Sequence, residues 1–267
     1  MDLLLVGSGY IGRVLLENIR SVPEIKRVYV FDIIEEMARA LEKDFEKAVF
    51  TDDPISAMEK SDLVIEAASH QAVRDYAPKA LDMGKDVLIM SVGALGDDEL
   101  RETLFSKASY GAGKIYIPSG AVFGTSGISA ASMAGMDEVV LETSKPPKGL
   151  DNVQYLMDKG IDVHSLKERT LVFEGSAKDA AKAFPKNVNV SATLSLAGIG
   201  FENTKVRVFV DPNIKRNTHV VRIKGDFGEA FCKVENLPSS NPGTSYLAAL
   251  SAVATLKKIV SGVWIGV

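Results

Sequence analysis

Cysteine is almost missing from this sequence. A single residue, Cys232, excludes a disulfide framework within the chain and a multi-cysteine metal site. A chain this poor in thiols suits a reducing compartment, so a cytoplasmic protein with no bound metal is expected. Long apolar runs are missing too, and with them any candidate membrane span. The N-terminal MDLLLVGSG has no basic region, and its apolar stretch is too short for a secretory signal. It reads as a strand. There is no excess of basic charge: 31 Lys and Arg stand against 35 Asp and Glu, a net charge of −4. A nucleic-acid partner is therefore disfavoured. No internal repeat or low-complexity segment is present. What is there is 267 residues, 46% hydrophobic and 25% charged, enough for one large domain or two modest ones with real cores.

Short apolar runs alternate with amphipathic stretches along the first 118 residues. Residues 3–6, 28–31, about 49, 63–67, 86–90 and 114–117 read as strands. Helical spacing appears between them, for example at Ile11, Val14, Leu15 and Ile19. This alternation predicts a doubly wound parallel sheet, the Rossmann arrangement, over 1–118. After Pro118 the texture changes. The segment SGAVFGTSGISAASMAG is small and flexible in composition. Longer alternating runs follow at 138–143, 170–174, 205–210, 218–224 and 229–234, with fewer helices between them. They predict a second, α+β domain over 119–240 with a mixed or antiparallel sheet. Residues 188–197 and 245–260 read as helices. Thr244 or Ser245 suits the N-cap of the latter, and the segment 241–267 is expected to pack back on the first domain.

Gly7-Ser8-Gly9-Tyr10-Ile11-Gly12 is a GxGxxG motif that follows a strand and opens a helix. Asp32 stands twenty positions after Gly12, at the end of the next strand. A lone GxGxxG is weak, but this context marks a dinucleotide turn. Gly7 permits the tight turn, Gly9 lets a pyrophosphate approach the backbone, and Gly12 allows close packing of helix on sheet. The helix N-terminus favours the phosphates. Asp32 can accept hydrogen bonds from ribose hydroxyls and repels a 2′-phosphate. Ile33 and Ile34 follow it, with no arginine beside them, so NAD is favoured over NADP. FAD ranks below both. A strand–turn–helix with no ligand is the plainer alternative. Two further loops, Ala67-Ala68-Ser69-His70-Gln71 and Ser91-Val92-Gly93-Ala94, follow predicted strands and can line the cofactor site. Each can equally be a simple helix cap.

A dehydrogenase also needs a group to handle a proton, and histidine is the usual one near neutral pH. The chain has His70, His164 and His219. His164 lies in a polar surface stretch. His219 shares a strand face with Val221 and Ile223, so it is either a core histidine or a group that reaches a cleft between the domains. The segment 184–190, FPKNVNV, sits at a predicted helix start. Its Asn187 and Asn189 offer amides to a carboxylate or a carboxamide, or they simply cap the helix.

The combination of GSGYIG (7–12), EAASHQAV (66–73), VLIMSVGAL (87–95), IYIPSGA (115–121), FPKNVNVSATLSLAGIG (184–200), VFVDP…NTHVV (208–221) and ENLPSSNPGTSYLAALS (235–251) resembles the archaeal and bacterial L-aspartate dehydrogenases. The likeness spans nearly the whole chain, and the FPKN…AGIG and DP…NxH blocks are its specific parts. It implies oxidation of L-aspartate at Cα by NAD(P) to iminoaspartate. That product hydrolyses to oxaloacetate and ammonia or passes to quinolinate for the making of NAD. It implies that His219 is the active-site histidine, that Ala121 and Asn189 touch the cofactor, and that the protein is a homodimer; the motif and loop reading adds Gly7, Gly9, Tyr10, Ile11, Gly12, Asp32, Ala68 and Ser69 to the cofactor contacts. Lys186 and Asn187 are candidates for substrate contact. Lys215, Arg216 and Arg207 are further candidate cations for the substrate carboxylates. The sequence departs from the family after Ala121. It continues Val122-Phe123-Gly124-Thr125-Ser126, where related sequences continue with glycines and an aspartate, and this leaves strict selectivity for aspartate open.

Rival readings are a reductase resembling homoserine dehydrogenase or dihydrodipicolinate reductase, and a non-catalytic NAD sensor. The paired histidines of the second reductase are missing. Covalent thiol chemistry is disfavoured because Cys232 lies mid-strand with no histidine next to it in sequence. A sensor would not need His219 and the asparagine cluster.

Overall fold

The alternating N-terminal pattern becomes a six-stranded sheet: β1 (Asp2–Val6), β2 (Arg27–Phe31), β3 (Ala48–Phe50), β4 (Leu63–Glu66), β5 (Asp86–Ile89) and β6 (Ile115–Tyr116). The strand order is β3-β2-β1-β4-β5-β6, and every neighbour is parallel. Burial on both faces explains why β1 and β4 read as continuous apolar runs rather than alternating ones: Leu3, Leu4, Leu63 and Val64 are each fully buried. The computed structural model describes residues 1–185, 188–237 and 245–266. Its helices in this region are α1 (Tyr10–Ile19), α2 (Glu35–Asp44), α3 (Pro54–Glu59), α4 (His70–Asp82) and α5 (Asp98–Tyr110). This is the Rossmann arrangement. Strand order reverses between β1 and β4, where the outgoing loops diverge and leave a crevice at the carboxyl ends of the strands.

Short helix α3 has no sequence-level periodicity because it is barely more than one turn long. It is set locally instead. Asp53 Oδ1 accepts from the N–H groups of Ile55 and Ser56 at 3.1 and 3.0 Å, and Pro54 occupies the first turn, where its missing N–H costs nothing.

The rest of the chain builds a five-stranded mixed sheet from β7 (Met136–Lys145), β8 (Thr170–Ser176), β9 (Lys205–Val210), β10 (Asn217–Gly225) and β11 (Gly228–Asn236). Its order is β11-β10-β7-β9-β8. Only β7 and β9 run parallel; the other pairs are antiparallel. The helices here are α6 (Thr125–Ala131), α7 (Gln154–Asp158), α8 (Ala177–Ala183), α9 (Asn189–Ala197) and α10 (Gly200–Asn203). The stretch after Pro118, flexible in composition, therefore contains a helix. Gly124 leads into it in the left-handed region, at φ 91°, which a side chain would resist. One sheet face carries Val139, Leu141, Val221 and Ile223, packed with Ile128 and Leu194.

The final helix, α11 (Tyr246–Val260), packs Ala249, Ala252, Val253 and Leu256 into the same cluster as Leu3, Leu15 and Leu88. Alanines on its buried side let the backbone come close. Contacts group Met1–Pro118 with Ala248–Trp264 as one unit and Ser119–Leu247 with the residues from Ile265 as a second, so only part of the segment 241–267 belongs to the first unit. Thr244, one of the two expected caps of α11, lies outside the described residues. Among the described residues, no helix is long and apolar enough to cross a membrane.

Candidate active site

The glycine turn sits at the β1 exit, in the crevice between β1 and β4. Gly7 has φ +107°, and a Cβ there would lie 2.6 Å from the Ala67 carbonyl oxygen. Only glycine can make this turn against the β4 exit. A Cβ on Gly12 would lie 2.5 Å from the Gly7 carbonyl oxygen, so the first turn of α1 seats directly on the glycine loop. Gly9 is different: nothing lies within 4 Å of where its Cβ would be. It is the N-cap of α1 and no side chain caps the helix there. Tyr10 and Ile11, both half-buried, form the first turn of α1. The Ser8 hydroxyl is buried without a partner in the protein. Open space, an uncapped helix start and an unsatisfied buried hydroxyl together fit a phosphate-bearing dinucleotide.

Asp32 closes the other side of this turn. Its Oδ2 accepts from the Ser8 N–H at 2.7 Å and its Oδ1 from the Ile34 N–H at 2.9 Å. Ile33 beside it is exposed. The nearest arginine along α2, Arg39, is bonded to Glu35 at 2.6 Å.

The loop after β4 is organised by a residue that sequence reading passed over. Glu66, 1% exposed, ends β4 and accepts four hydrogen bonds. Its Oε1 takes the N–H groups of Ala68 and Ser69 at 2.8 and 2.9 Å and the Ser91 hydroxyl at 2.8 Å, and its Oε2 takes the Ser91 N–H at 2.9 Å. Burial pushes this carboxyl above the ordinary range, against the pull of the donated bonds. One side chain thus ties together the two loops that follow β4 and β5. Its signal was the single charge in the buried strand LVIE. Ala68 and Ser69 are exposed. Ser69 also caps α4, its hydroxyl accepting from the Ala72 N–H at 3.1 Å, so the capping alternative holds for this residue whatever else it contacts. His70 is the first residue of α4. The loop at Ser91–Ala94 is buried.

In the second unit, His219 is the third residue of β10 and pairs across the sheet with Thr143 of β7. It is 6% exposed, and its Nδ1 lies 3.1 Å from Thr143 Oγ1. Val221 and Ile223 share its face, opposite Leu141 and Val139. The face is therefore apolar at one end and polar at the other. Two residues beyond Thr143, Lys145 extends the polar end and is 8% exposed. Burial lowers its ammonium to about 8. Burial, and then the charge of Lys145, hold the His219 imidazole down to about 3. At neutral pH the histidine is an uncharged base beside a buried cation. Asn236 of β11 lies on the same face. Its Nδ2 donates to the Ala121 carbonyl at 3.0 Å, which places Ala121 at this polar end. Lys145 and Asn236 escaped sequence reading. The alternating run at 138–143 ends before Lys145, and a lysine after Ser144 looks like a strand leaving for solvent.

Asn189 is the first residue of α9 and is exposed. Lys186 and Asn187 lie outside the described residues. Lys215 and Arg216 are exposed in the segment between β9 and β10. Arg207 is held by Glu174 at 3.1 Å and Glu142 at 3.6 Å. His164 is exposed and bonded to Asp151 at 2.8 Å. Cys232 pairs with Val221 across β10 and β11. No cluster of metal-ligating side chains occurs among the described residues.

Comparison with known proteins places these features in context. Residues 126–259 match the family described as aspartate dehydrogenase, C-terminal, and residues 7–118 match the homoserine dehydrogenase NAD binding domain. The chain is 49% identical to an L-aspartate dehydrogenase of Methanosarcina mazei over 98% of both chains. It is 56% identical to that of Methanosarcina acetivorans over 77% of this chain and 76% of the relative. Among solved structures, it is similar to aspartate dehydrogenase from Thermotoga maritima, at 32% identity and a TM-score of 0.78, covering 100% of this chain and 99% of the other.

Proposed function

The chain belongs to the aspartate dehydrogenase family, and on that premise we propose that it oxidises L-aspartate at Cα with NAD(P) as acceptor. The observation that carries the reading is the buried His219, bonded to Thr143 and neighboured by Lys145. It is an uncharged base at the polar end of a sheet face.

Gly7, Gly9, Tyr10, Ile11 and Gly12 would hold the pyrophosphate, Asp32 the adenosine ribose, and Ala68 and Ser69 the neighbouring part of the dinucleotide. Ala121 and Asn189 are assigned to its nicotinamide end. When bound, the oxidised nicotinamide supplies the acceptor for the hydride that leaves Cα. The protein's task is the proton. The substrate ammonium must lose one before its nitrogen lone pair can form the C=N bond. Thr143 fixes the imidazole through Nδ1, and the second ring nitrogen, Nε2, takes that proton once the carboxylates of the bound substrate raise the imidazole above its value of about 3. The same histidine can then orient the water that adds to the imine carbon, so that ammonia leaves and oxaloacetate forms. Lys186 and Asn187 are retained as substrate contacts for the charge of the one and the amide of the other, at the helix start read from the sequence.

Asp32 supports NAD over NADP, because its carboxylate would face a 2′-phosphate. The iminoaspartate product, its use in quinolinate formation, a homodimer and a cytoplasmic setting complete the reading. The test is stoichiometric. The purified protein with L-aspartate and NAD should release reduced cofactor, ammonia and oxaloacetate in equal amounts. No cofactor reduction with L-aspartate, alongside reduction with another amino acid, would sink the assignment.

A further inference from the structure

We infer that Asn236 is a positioning residue: it fixes Ala121, and through Ala121 the nicotinamide end of the dinucleotide, beside the sheet face that carries His219. This rests on the preceding reading, which assigns Ala121 to that end of the cofactor.

Residues 119–124 belong to no strand or helix, so no backbone ladder sets their place. Side chains hold them instead. Val122, 1% exposed, packs into the cluster of Val139, Leu141, Val221 and Ile223. Immediately before it, the Ala121 carbonyl accepts from Asn236 Nδ2 at 3.0 Å, in a buried bond between residues 115 positions apart. Asn236 stands opposite Asn217 on β10, and Val234, two residues earlier on β11, stands opposite His219. Asn236 and His219 are therefore diagonal neighbours on one face. The bond ties the segment that carries Ala121 to the part of the sheet that carries the base. The amide can do this in one orientation only, because exchanging its two ends would set oxygen against the Ala121 carbonyl. In that orientation Oδ1 is buried with no partner in the protein. Packing alone would be better served by an apolar side chain of the same size, which leaves no acceptor unmet. What the asparagine supplies is the bond to Ala121. The role is placement: Asn236 sets where the nicotinamide end lies, and His219 handles the proton.

Asn236→Leu removes the donor at nearly constant volume, and Asn236→Ala removes it with the side chain. Fluorescence titration of the intact protein gives Kd for NADH. Calorimetry gives Kd for ADP-ribose, which keeps the adenosine, both phosphates and both riboses but has no nicotinamide. Whichever variant folds should bind NADH about threefold to tenfold more weakly, the worth of one lost hydrogen bond. Binding of ADP-ribose should stay within about twofold. Reduction of NAD by L-aspartate in a single turnover should slow about tenfold or more, as it does when reacting groups are misplaced. An equal loss of affinity for both ligands would make Asn236 a brace of the fold and overturn the inference. NADH affinity within about twofold of the parent would overturn it too. Failure of the parent protein to oxidise aspartate would overturn the activity instead, and the comparison of NADH with ADP-ribose would still decide the role of Asn236.

Discussion

Replacing Lys145 with methionine is expected to make the protein more stable. The ammonium is held at about 8 in the fold against 10.5 for an ordinary lysine. At roughly 1.4 kcal/mol per pH unit, that difference costs the folded state about 3 kcal/mol at neutral pH. Above pH 10.5 both folded and unfolded chains are neutral here and the cost vanishes. As pH falls from 10.5 to 8 the unfolded chain takes up the proton first, so stability falls. Below 8 both are charged and the cost is constant. Methionine fills a similar volume with no charge to desolvate. Urea unfolding at pH 7 should therefore give Lys145→Met an advantage of up to about 3 kcal/mol. The gap should close between pH 8 and 10.5. A variant no more stable than the parent at pH 7, or a gap independent of pH across that window, would refute the reasoning.

Other consequences follow from the same geometry. His219→Asn should lower kcat by about a hundredfold to ten-thousandfold, the usual worth of general base catalysis, with NADH binding retained in a fluorescence titration. It should also flatten acid unfolding. The buried imidazole sits at about 3, so between pH 6.5 and 3 only the unfolded chain gains its proton. Parental stability should fall through that window by roughly 1.4 kcal/mol per unit as pH drops, and equal acid midpoints in parent and variant would contradict this. Glu66→Gln puts an amide donor among four donors that now point at a carboxylate, at a cost of about 1–3 kcal/mol. Loosening of residues 68–69 should raise the Kd for NADH several-fold, and an unchanged Kd would show that Glu66 only braces the fold. Asp32→Ser should shift the NADP-to-NAD ratio of kcat/KM upward by about tenfold or more, the factor that 1.4 kcal/mol represents. A ratio that stays put would remove Asp32 from cofactor choice.

The fold was largely legible because its N-terminal strands are buried on both faces. The apolar runs at 3–6 and 63–66 could scarcely be anything else beside helical spacing. Gly7 and Gly12 were legible for a similar reason, since a Cβ at either would strike backbone at 2.6 and 2.5 Å. What escaped reading was polar and buried. Glu66 ends an apolar strand, and a carboxylate there looks like the first exposed residue of a loop. Only the four donors from residues 68, 69 and 91, the last 25 positions away, explain it. Lys145 and Asn236 hide in the same way, because their environment comes from cross-strand register that a one-dimensional pattern does not hold. His219 was caught between core and site by its alternation with Val221 and Ile223. In the structure it is buried, and it stands where the apolar face turns polar.

The central claim is that this chain moves a hydride from Cα of L-aspartate to a nicotinamide. It can be followed with L-aspartate carrying deuterium at Cα. After incubation with the protein and oxidised NAD, the reduced cofactor is isolated and its mass determined. One deuterium per molecule of reduced cofactor is predicted. No reduced cofactor, or reduced cofactor without the label, would contradict the account.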